Sequence, residues 1–121
     1  MKLAVVGCTG LVGSVILKVL SEISLPISEL ILVASSKSEG KLIDFENKKY
    51  KIESIDSALS KKPSIAIFAA GGDLSIKWAN KFAEKGTTVI DNSSAWRMKE
   101  NIPLIVPEIN GFSLKPQHKI I

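Results

Sequence analysis

The chain has 121 residues, 45% hydrophobic and 23% charged, a size that buries one compact core and leaves little room for a second. No apolar run approaches the roughly 20 residues that span a bilayer, residues 1–7 lack the features of a secretory signal, and a single cysteine makes no internal disulfide. A cytoplasmic protein is therefore expected. The net charge of +4 is spread over scattered lysines such as Lys48-Lys49 and Lys61-Lys62, so an anionic small molecule suits it better than nucleic acid or a membrane.

Residues 2–6, KLAVV, read as a short buried strand ending at Gly7. Val12, Val15, Ile16, Val19, Leu20 and Ile23 then recur as the buried stripe of a helix, closed off by Pro26. ELILVAS is a second buried strand, and KKYKIES alternates like a strand with one wet face. SIAIFAA reads as a central strand running into Gly71-Gly72. Asp73 is the expected N-cap of the next helix, Leu74, Trp78 and Phe82 its inner face, and Gly86 its stop just past Lys85. TTVIDNSS and PLIVPEI read as further strands. HKII looks like the opening of another, so a fragment of a longer chain is expected. Apolar strands alternating with amphipathic helices predict an α/β, doubly wound, mostly parallel sheet with helices on both faces, Rossmann-like.

The stretch VVGCTGLVG puts Gly7, Gly10 and Gly13 between the first strand and the first helix. Gly7 and Gly10 allow a tight turn and a close approach of backbone to a pyrophosphate, and Gly13 lets the helix pack near the strand. The helix N-terminus adds unpaired N–H groups and a partial positive charge. The spacing is G-x-x-G-x-x-G rather than G-x-G-x-x-G, so context carries as much as pattern; a plain strand–helix turn is the alternative. Cys8 has no histidine near it in sequence and a pyrophosphate would lie before it, so it reads as a small packing residue.

An NAD site usually carries Asp or Glu about twenty residues past such a turn, at the ribose 2′-OH. Here the second strand is followed by Ser35, Ser36, Lys37 and Ser38, with no carboxylate before Glu39. Lys37 and the hydroxyls suit a 2′-phosphate, which favours NADP; an ordinary polar loop is the alternative.

VVGCTGLVG, LVASSKSEGK, IAIFAAGG, VIDNSSAWRM and PLIVPEIN together resemble the N-terminal half of the aspartate-semialdehyde dehydrogenase family, from Met1 to about Asn110. The last two stretches are the most specific. The resemblance implies that residues 1–121 are the NADP-binding domain of a longer two-domain enzyme. That enzyme interconverts aspartyl 4-phosphate and aspartate 4-semialdehyde, on the route to lysine, threonine and methionine. It implies cofactor-phosphate contacts at Thr9, Gly10, Leu11 and Val12, a 2′-phosphate at Lys37 and Ser38, and the nicotinamide side at Gly71 and Gly72. Arg97 would bind the substrate phosphate or inorganic phosphate; a surface arginine paired with Asp91 or Glu100 is the alternative.

Two departures stand out. Lys37 replaces a common arginine, and Cys8 a small residue such as alanine. The family's nucleophilic cysteine, in an Asn-x-x-Cys motif, and its acid/base histidine have no match here. No catalytic residue and no metal site is therefore expected, and the chain alone is expected to be inactive. His118 reads as a solvent-exposed loop residue. The full-length enzyme would form a homo-oligomer. N-acetyl-glutamyl-phosphate reductase, which shares the chemistry, and a stand-alone non-catalytic nucleotide-binding protein are the alternatives.

Overall fold

Alternation along the first strand builds both faces of the sheet: Leu3 and Val5 enter one apolar layer, Ala4 and Val6 the other. The computed structural model describes residues 1–97 and 99–121; Met98, the last residue of the VIDNSSAWRM motif, lies outside them. In chain order the elements are β1 (Lys2–Val6), α1 (Leu11–Glu22), β2 (Glu29–Val33), β3 (Leu42–Phe45), β4 (Lys48–Lys51) and α2 (Ile55–Ser60). They continue with β5 (Ile65–Phe68), α3 (Gly72–Glu84), β6 (Thr88–Asp91) and α4 (Pro107–Asn110). Strands β2-β1-β5-β6 form one parallel sheet in that order. α1 and the β3–β4 hairpin supply side chains to one apolar layer, α2 and α3 to the other. The doubly wound α/β architecture is the predicted one.

Several local expectations are corrected. The buried line of α1 is Gly13, Leu17 and Leu20, with Ile16 half-buried, while Val12, Val15, Val19 and Ile23 stay 41–53% exposed. A Cβ at Gly13 would run into the Gly7 carbonyl oxygen, so the helix must turn that position toward the strand. This sets its rotation and carries the valines outward. The helix also ends at Ile23, before Pro26.

Asp73 does not cap α3. Gly71 does, at φ +94° and without a side-chain bond, and Asp73 sits in the first turn. Ser75, Ala79 and Phe82 form the buried line of α3, with Leu74 and Trp78 flanking it half-buried, and Gly86 at φ +92° follows its end as expected. Phe82 meets Phe68 edge-on at 5.4 Å between ring centroids, a geometry that contributes roughly 0.5–1.5 kcal/mol beyond area burial.

KKYKIES is a strand in its first half only, and it pairs in a hairpin outside the main sheet. Its first half is β4, paired antiparallel with β3 across a turn in which Glu46 and Asn47 adopt φ +48° and +65°. PLIVPEI is not a strand: Pro103 and Pro107 have no N–H for a ladder, and Asn110 folds the segment back on itself. Its Oδ1 accepts from the Val106 N–H (2.7 Å) and its Nδ2 donates to the Leu104 carbonyl (2.8 Å). HKII does reach the sheet edge. The Val89 N–H donates to the Lys119 carbonyl at 2.7 Å and the Ile121 N–H to the Val89 carbonyl at 2.9 Å, beside a parallel bridge of Ile120 to Val89.

Candidate functional site

Four parallel strands direct their carboxyl ends to one edge, where ligands of such sheets bind. The glycine turn occupies the end of β1. Gly7 takes φ +91°, and the N–H groups of Gly7 and Cys8 both donate to the Val33 carbonyl, at 2.8 and 3.1 Å. A Cβ on Gly7 would approach the Ala69 carbonyl oxygen to 2.7 Å, so the end of β5 packs directly on the turn. α1 then opens at Gly10 with no side-chain cap and no acidic residue in its first turn. Its leading N–H groups, on Leu11, Val12 and Gly13, have no intrahelical acceptor and carry the positive end of the helix dipole.

Gly10 differs from its two neighbours in the motif. Its φ is −75°, open to any residue, and a Cβ there would stand 3.5 Å from the Gly7 carbonyl oxygen, an ordinary contact. Nothing among the described residues requires glycine at this position. A ligand approaching the backbone closely would, and in this respect the turn fits a dinucleotide pyrophosphate.

The turn borders a cavity of about 580 Å³, within the roughly 300–1,000 Å³ usual for small-molecule sites. Of the predicted residues, Gly7, Thr9, Gly10 and Ser35 line it. Leu11 and Val12 lie at the exposed start of α1, Gly13 is buried behind the turn, and Lys37 and Ser38 lie on the loop after β2 outside the lining. Gly71 and Gly72 begin α3 beyond Ala69 and Ala70, which do line the cavity. A Cβ on Gly72 would contact the Ala95 methyl at 3.8 Å, so the connections leaving β5 and β6 meet there.

Sequence reasoning missed a wall of this cavity. Ser54, Ile55 and Asp56 reach it because the Glu53 N–H donates to the Leu32 carbonyl at 2.8 Å, laying the segment beside the end of β2. The Ser54 hydroxyl caps α2 by accepting from the Ser57 N–H at 3.1 Å, with Asp56 in the first turn. A serine followed by an early acidic residue is a legible helix start. Glu39, Ser36 and Leu74 complete the wall; Glu39 and Asp56 are the charged lining residues, and no lysine or arginine is among them.

Arg97 is exposed on the connection after β6. Asp91 shapes that connection: its Oδ1 accepts from the Ser93 N–H at 2.8 Å, and the Ser93 hydroxyl accepts from the Ala95 N–H at 3.2 Å. Among the described residues Arg97 pairs with neither Asp91 nor Glu100. His118 is half-buried rather than solvent-exposed, and its Nδ1 accepts from the Lys115 N–H at 3.0 Å, closing a turn.

Cys8 is 1% exposed and packs with the layer that α1 covers. Burial pushes its thiol up, against a smaller lowering by a backbone hydrogen bond, so it stays protonated at neutral pH. Titration with a disulfide reagent is expected to modify it about tenfold or more slowly in the native protein than in denaturant; equal rates would contradict the burial.

Residues 2–117 match the family model described as semialdehyde dehydrogenase, NAD binding domain. The chain belongs to that family. It is 50% identical over 115 residues to aspartate-semialdehyde dehydrogenase of Aquifex aeolicus, covering 94% of this chain and 34% of that protein. Against aspartate-semialdehyde dehydrogenase 2 of Vibrio cholerae it is 46% identical over 107 residues, covering 88% and 32%. The crystal structure of aspartate semialdehyde dehydrogenase II from Vibrio cholerae, complexed with ASA, superposes with a TM-score of 0.92 at 42% identity, covering 99% of this chain and 40% of that one. This semialdehyde dehydrogenase domain thus spans about a third of the length of those curated relatives, rather than the half that its motifs suggest. A pyridine nucleotide is the ligand class its family description names. Among the described residues no helix is long and apolar enough to cross a membrane.

Proposed function

We propose that residues 1–121 are the NADP-binding part of a longer two-domain enzyme, an aspartate-semialdehyde dehydrogenase. Working in the cytoplasm as a homo-oligomer, the whole enzyme would reductively dephosphorylate aspartyl 4-phosphate to aspartate 4-semialdehyde. The observation that carries the nucleotide reading is the uncapped start of α1, opening at a glycine that the described residues do not require. The likeness at 50% identity to the Aquifex aeolicus enzyme supports the choice of substrate.

In this reading the N–H groups of Leu11, Val12 and Gly13, with the Thr9 hydroxyl, hold the pyrophosphate. Gly7 and Gly10 keep the backbone clear for it. Ser35, Lys37 and Ser38 take the ribose end and its 2′-phosphate, and Gly71 and Gly72 border the nicotinamide. When bound, the dinucleotide supplies the hydride. Arg97, free of the two carboxylates nearest it in sequence, offers a planar fork to the substrate phosphate. The chain's own residues bind and orient; the nucleophile is not among them.

Parallel titrations with NADPH and NADH test the cofactor assignment. NADPH is expected to bind more tightly, with no turnover when aspartate semialdehyde, NADP and phosphate are supplied to the 121-residue chain. Equal affinities would sink the preference, and turnover would sink the assignment of the nucleophile elsewhere.

A further inference from the structure

The cavity beside the glycine turn carries two carboxylates, Glu39 and Asp56, and no cationic side chain among its lining residues. Glu39 is held there by its backbone. Its N–H donates to the Ser35 carbonyl at 3.2 Å, and the next N–H, on Gly40, donates to the Ile52 carbonyl at 2.9 Å. Gly40 sits at φ +87°, so the loop after β2 folds back over its own start and sets Glu39 with Ser35 and Ser36 in one wall. Glu39 forms no ion pair among the described residues, although Lys37 lies two positions before it and Lys41 two after. Its negative charge is therefore offset by no partner in the wall.

We propose that Glu39 is a selectivity determinant of this pocket, an electrostatic brake on a ribose 2′-phosphate that lets the domain take NAD(H) alongside NADP(H). The proposal rests on the pyridine-nucleotide reading above. A 2′-phosphate brings close to two negative charges, which a carboxylate a few ångströms away repels, whereas a 2′-hydroxyl donates a hydrogen bond to the same carboxylate. Lys37, outside the lining, and Glu39, within it, thus act on the same substituent in opposite directions.

The test is titration of NADPH and NADH into the wild-type chain and into Glu39→Gln, which keeps shape and removes charge at an exposed position. NADPH is expected to tighten by about tenfold in the variant at low salt, a gain that shrinks as ionic strength rises, while NADH tightens less or weakens. An unchanged ratio of the two affinities, or an equal gain for both, overturns the brake and leaves the nucleotide site standing. Binding of neither nucleotide to either protein overturns the site and the brake together.

Discussion

Gly13→Ala is expected to destabilise the domain by about 3 kcal/mol or more. The added Cβ would run into the Gly7 carbonyl oxygen and come within 2.8 Å of the Cys8 Cα, and both obstacles are backbone. No rotamer relieves a backbone clash, so α1 would have to lift from β1 and uncover Leu17 and Leu20, both buried in that layer. Chemical denaturation of wild type and variant checks this, and a midpoint shift equivalent to less than about 1 kcal/mol would show that the helix–strand contact is looser than described.

Gly10→Ala should divide stability from function at a position three residues away. Its φ and its 3.5 Å clearance from the Gly7 carbonyl both accept a methyl group. The cost to folding is expected to stay within about 1 kcal/mol, the usual range for alanine at an N-cap. Nucleotide affinity is expected to fall by about tenfold or more, because a methyl group there keeps a pyrophosphate from the leading N–H groups of α1. Titration of NADPH into the refolded variant decides it. Unchanged affinity, with wild type binding, would place the phosphates elsewhere on this edge. A large loss of stability would instead make Gly10 a folding residue like Gly13.

Set side by side, these two glycines show what a motif can and cannot convey. Their spacing after an apolar run was enough to expect a strand–turn–helix, with Gly10 given to a ligand and Gly13 to helix packing, yet not to separate a tolerated methyl group from a backbone clash. The distinction comes from where the backbone of Gly7 passes, a contact between segments that periodicity along one helix does not contain. The same contact explains why the valines of α1 face outward: apolar residues fall on both sides of that helix, and only the fit at Gly13 chooses between them.

By itself the sequence determined the four central strands, their parallel α/β order and the placing of the glycine turn at a carboxyl end. Each follows from short-range causes: uninterrupted β-branched and aliphatic runs, and glycines where the chain must turn tightly. The resemblance of its motifs carried the family, which a match over residues 2–117 then established. Tertiary structure alone decided the wall of the cavity. Ser54–Asp56 meet Ser35–Glu39 because the Glu53 N–H bonds to the end of β2, across a separation that no local pattern spans. The strand expected at PLIVPEI failed for causes local to the chain: aliphatic residues satisfy the propensity, but two prolines withhold donors and Asn110 takes up the Val106 N–H and the Leu104 carbonyl. Propensity reports what a segment could form; the available hydrogen-bond partners settle what it does form.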